Sequence, residues 1–125
     1  MDKTQLVEKD IEDGRILLKA LDNNDLPVVG AFWFYFSESN KWRLFIISPL
    51  VETEGPKNTY ILIQKIISSK SSILLDNISV FSPKDELYQL LKKTIKTGNG
   101  ISMVRLSRSV INGNYIEDIL IYRIK

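Results

Sequence analysis

Two apolar runs, VVGAFWFYF (28–36) and KWRLFIIS (41–48), flank the polar quartet Ser37-Glu38-Ser39-Asn40. Runs rich in aromatic and β-branched residues, separated by four polar ones, predict an antiparallel hairpin. In that register Phe36 opposes Lys41, Tyr35 opposes Trp42, Phe34 opposes Arg43 and Trp33 opposes Leu44. Side chains alternate across a strand. One face therefore collects Ala31, Trp33, Tyr35, Trp42, Leu44 and Ile46, and the other Phe32, Phe34, Phe36, Lys41, Arg43, Phe45 and Ile47. Both faces are apolar near the middle, so this hairpin needs a covering layer on each side. Most of the aromatic run belongs to a core. Near the loop, Lys41 and Arg43 are expected over Phe34 and Phe36 as cation–π partners.

The remaining chain supplies those layers. Val7, Ile11, Leu17, Leu18 and Leu21 form one stripe of a helix over 3–22, with Asp2 and Gln5 at capping-box spacing and Asn23-Asn24-Asp25 and Pro27 as its stop. Gly14 within it reads as simple tolerance. Gly55-Pro56 opens a second helix running to about residue 69, with Tyr60, Ile63, Ile66 and Ile67 inward. A short Ser-rich linker, 68–72, leads to a buried strand at 77–82. Ser82-Pro83-Lys84-Asp85 then places Ser82 as N-cap of a third helix, which carries Leu87, Leu90, Leu91 and Ile95 inward and is closed by Gly98.

Two alternating runs, 101–111 and 114–124, flank Asn112-Gly113, the dipeptide preferred in type I′ turns. That turn pairs Val110 with Tyr115, Arg108 with Glu117, Leu106 with Ile119 and Val104 with Ile121 on a core face. Arg105, Ser107, Asp118 and Tyr122 share the mixed opposite face, where an Arg105–Asp118 salt bridge is expected. The whole reads as one domain over 1–125, an α/β (α+β) fold of order α-β-β-α-β-α-β-β, with a five-stranded mixed sheet packed by three helices. Two βαβ units are expected, 41–48 to 77–82 and 77–82 to 101–111, with hairpins at the sheet's ends and the first helix on the face away from the others.

The sequence has no His and no Cys. Ser-His-Asp and Cys-His triads, His/Cys zinc sites and disulfides are thereby excluded. No apolar run approaches the roughly 20 residues that span a bilayer, and the charged start lacks a signal-peptide core. Cytoplasmic location and no membrane partner are the expectation. Abundant Ile, Lys and Asn point to an AT-rich genome, bacterial or phage. The net charge of +2 divides unevenly: residues 1–55 carry 6 basic and 10 acidic side chains, residues 56–125 carry 11 and 5.

Three candidate sites follow. Ser48, Ser82, Lys57 and Lys84 fall at the carboxyl ends of strands, where α/β sheets bind ligands, and Arg105, Arg108 and Ser107 lie on the second hairpin; together they form an anion-binding set. Glu52, Glu54 and Asp85 are the weak metal candidates, suited to Mg²⁺. Trp33, Tyr35, Trp42 and Tyr122 are the candidate interface residues, since Trp and Tyr are favoured at interfaces. With the strongest nucleophiles absent and aromatics ample, the expected function is a non-enzymatic binding module acting with a protein partner or as a homodimer, and no cofactor is called for. Anion, nucleotide or nucleic-acid binding is the alternative, and a Mg²⁺-dependent phosphoesterase is the third reading.

Overall fold

A computed structural model of the chain describes residues 5–67 and 77–125. Its elements run α1 (Glu8–Asn23), β1 (Gly30–Phe36), β2 (Lys41–Ile47), α2 (Leu50–Ile67), β3 (Ile78–Phe81), α3 (Glu86–Lys92), β4 (Val104–Ile111) and β5 (Asn114–Ile124). The expected order holds. The strands form one five-stranded mixed sheet ordered β3-β2-β1-β5-β4, with only β2 and β3 parallel. No described helix is long and apolar enough to cross a membrane.

The first hairpin adopts the predicted register from Phe36↔Lys41 to Trp33↔Leu44. Its alternation splits the core in two. Ala31, Trp33, Tyr35, Trp42, Leu44 and Ile46 pack with Leu17, Leu18 and Leu21 of α1 and Ile63 and Ile67 of α2. Phe32, Phe45 and Ile47 pack with Tyr88 and Leu91 of α3. So α1 shares its face with α2, and α3 alone lies opposite. This reverses the expected placement of the first helix.

The β2-α2-β3 unit is real, but the second βαβ expectation fails. β3 sits at one edge and β4 at the other, because β5 takes the place beside β1 and carries β4 outward. The first hairpin is therefore interior, and only β4–β5 closes an end of the sheet.

Helix ends differ from expectation in instructive ways. α1 begins at Glu8 behind an extended Val7 with no side-chain cap; Gln5 precedes it and Asp2 lies outside the described residues. At its far end the Asn24 side chain donates to Ala20 O. α2 starts six residues early at Leu50 and bends at Gly55 (φ 82°), so Pro56 opens its second segment rather than the helix. The Ser-rich 68–72 linker lies outside the described residues. Ser82 closes a turn through Lys84 N, and Asp85, accepting from Tyr88 N at 3.0 Å, is the true N-cap of α3. α3 ends at Lys92, so Gly98 belongs to the following loop.

The second hairpin turns at Asn112 (φ 48°) and Gly113 (φ 78°), as a type I′ turn requires. Val110↔Tyr115, Leu106↔Ile119 and Val104↔Ile121 pair as expected. Arg108 and Glu117 do not: Arg108 sits in the left-handed region (φ 48°) and interrupts the alternation. Beyond it Ile111 and Ile116 enter the α3-side core, and Val110 and Tyr115, expected inside, are 69% and 61% exposed.

Candidate functional site

All five phenylalanines of the chain lie on the α3 side of the sheet. Phe45 is their hub. It stacks on Phe32 at 5.0 Å between centroids, meets Phe81 at 5.1 Å, and has Phe34 and Phe36 each at 6.1 Å. Phe34 and Phe36 meet edge to face at 5.0 Å. The β1 register explains the grouping, since Phe32, Phe34 and Phe36 recur with the period of the pleat and Phe45 shares their face.

The cover on this side is partial. α3 has seven residues, against 16 in α1 and 18 in α2 on the other face. It closes over the Gly30 end, where Tyr88 packs so tightly that a Cβ on Gly30 would lie 2.9 Å from its ring, and the Tyr88 hydroxyl donates to Lys125 O at 2.9 Å. Away from that end the rings emerge. Phe34 is half-buried and Phe36, near the β1–β2 turn, is 37% exposed, while Phe81, level with Gly30 but out on the edge strand β3, is equally exposed. The charged neighbours do not cover them: Arg43 donates instead to Ser79 Oγ at 2.7 Å and Ile78 O at 3.2 Å. The expected cation–π cover is replaced by a strand-to-strand hydrogen bond.

The residues singled out as an interface are interior. Trp33 and Trp42 are 2% and 7% exposed, and Tyr35 and Tyr122 are buried. Their polar tips find partners inside the fold. Trp33 Nε1 donates to Tyr122 Oη, which donates to Ile11 O at 2.6 Å, and the Tyr35 hydroxyl donates to Asn40 Oδ1. Gly14 is no mere tolerance either: a Cβ there would lie 2.3 Å from Tyr122 Oη.

The proposed anion set divides. Arg105 and Ser107 do come together, but around a carboxylate. Arg105 Nε and Nη2 donate to the two Asp118 oxygens at 2.6 and 2.8 Å, and Ser107 Oγ donates at 3.0 Å. Asp118 is buried, Arg105 lies 5.3 Å from the Trp42 ring centroid, and the ion pair raises the Arg105 pKa. Arg108 points to solvent from its distorted position on the edge strand. The ends of β2 and β3 are adjacent, with Ser48 N donating to Phe81 O at 3.0 Å. Yet the buried Ser48 hydroxyl donates to Pro27 O and accepts from Leu50 N, and Ser82 is occupied by Lys84 N. Lys57 and Lys84 are exposed. Glu52 and Glu54 are exposed on the first segment of α2, and Asp85 caps α3; among the described residues no three acidic side chains are grouped to hold a metal.

Sequence reasoning missed Phe36, Phe81 and the exposed Tyr115, which borders the same groove as Phe36. The signal was the shared parity of the phenylalanines on β1 and β2; it was hidden by a third helix expected to run to Gly98, whereas α3 stops at Lys92. No family model, no curated protein and no solved structure matches this chain.

Proposed function

We propose that the protein is a small cytoplasmic binding module, without catalysis of its own, that docks a partner protein on its phenylalanine face. One observation carries this reading: two long helices bury the aromatic side chains on one side of the sheet, and a two-turn helix covers those on the other only in part. Phe36 and Phe81 are left 37% exposed at the margin of a packed ring cluster. Rings held by a rigid sheet lose little freedom on binding, so such a surface favours association. Ser48, Ser82, Arg105 and Ser107 are occupied within the fold, and no described buried side-chain nitrogen or oxygen lacks a partner.

The test is capture with the affinity-tagged full chain, using Phe36→Lys and Phe81→Lys in parallel with the wild type. A stoichiometric protein held by the wild type and lost from both variants, with unchanged far-UV circular dichroism, is the expected result. Undiminished retention by both variants overturns the assignment of this face.

A further inference from the structure

Where the end of β1 and the β1–β2 turn approach the start of β5, past the last paired residues of the two strands, they border a groove of about 370 Å³. Phe34, Tyr35, Phe36 and Tyr115 are its aromatic residues, and Glu38 and Glu117 are the charged side chains lining it. Both are carboxylates, in a chain with more basic than acidic side chains. The Tyr115 hydroxyl donates to Glu117 Oε2 at 2.6 Å and so fixes ring and carboxylate side by side. Tyr115 is 61% exposed, which keeps its ring face open to a ligand. The placement has a structural origin: the left-handed Arg108 breaks the alternation of the hairpin, and Tyr115 is turned out of the core it was expected to join.

Aromatic faces attract cations, and a carboxylate beside them adds a charge-assisted hydrogen bond. Arginine satisfies both, since its guanidinium stacks on rings and donates in a planar fork. We infer that this groove receives an arginine-bearing segment of the partner, its guanidinium over the Phe36 and Tyr115 rings between Glu38 and Glu117, its apolar neighbours against Phe34. The inference rests on the docking reading and adds the chemistry of the partner to it. An acidic segment is excluded by the two carboxylates, and a purely apolar one leaves them desolvated without compensation.

The experiment uses the full chain and two fluorescein-labelled peptides of leucine and alanine, identical except that one carries arginine where the other carries glutamate. Anisotropy at low ionic strength is expected to show the arginine peptide binding at least about tenfold more tightly, with the preference shrinking as salt screens it. Glu38→Gln with Glu117→Gln removes the preference, while Lys57→Ala leaves it intact. No binding of the arginine peptide, equal binding of the two, or a preference surviving the double Gln variant overturns the inference. Phe81→Lys separates the two readings. It leaves the arginine preference unchanged when the groove acts as described, whatever it does to capture of the partner protein.

Discussion

The indole N–H of Trp33 donates to the Tyr122 hydroxyl at 3.0 Å, across 89 residues of sequence. That hydroxyl donates in turn to Ile11 O and lies 2.3 Å from where a Cβ on Gly14 would stand. One phenol thus joins β1, β5 and α1, and it fixes the face on which α1 lies.

Gly14→Ala is the sharpest probe of that joint. Helix propensity alone predicts a gain of about 1 kcal/mol. A methyl group placed 2.3 Å from Tyr122 Oη forces overpacking instead, which costs about 1–3 kcal/mol. Net destabilisation is expected in urea unfolding, and pairing with Tyr122→Phe should cost less than the two single changes summed.

Burial pushes the Tyr122 pKa well up, and that of Tyr88 as well. Each phenol is then deprotonated first in the unfolded chain, near the ordinary value of about 10. A raised folded-state pKa means the contribution is full below pH about 10 and is lost as pH rises through the folded values. The urea midpoint is expected to fall above pH about 10, and to fall less steeply in Tyr122→Phe. A native-state phenolate absorbance titration should show Tyr122 protonated until the protein unfolds.

The ring cluster should divide sharply by exposure. Phe45→Ala removes the hub and is expected to cost about 3–5 kcal/mol. Phe36→Ser and Phe81→Ser, at the margin, should each cost well under half of that. Chemical denaturation of the three variants checks the ranking; equal losses would mean that the margin is as well packed as the hub.

Arg108 holds a conformation that costs a non-glycine residue about 1–2 kcal/mol. Arg108→Gly is expected to stabilise the fold modestly, despite the loss of a side chain, because glycine adopts this region freely. The gain is partly offset by the greater freedom of glycine in the unfolded chain. Thermal unfolding measures the sign.

Local features were the legible ones. Four polar residues and an Asn-Gly pair set two hairpin registers, since each depends on neighbours a few positions away. The face of Val110 and Tyr115 was not legible, because period-2 alternation assumes an unbroken strand and Arg108 breaks it. Nor was the side chosen by α1, which depends on the distant meeting of Gly14 with Tyr122. Surface and core aromatics were exchanged for a related reason. Trp33 and Tyr122 satisfy each other's polar atoms and so can be buried, whereas the phenylalanines need no partner and occupy a face that α3 is too short to cover.

The strand order also sets a timetable. β5 is made last among the elements yet lies between β1 and β4, so the ring-laden β1–β2 hairpin keeps one unpaired margin until β5 arrives. During synthesis that margin, and the phenyl groups along it, stand open to wrong pairing. Slow closure, dominated by contacts between distant parts of the chain, follows from this order.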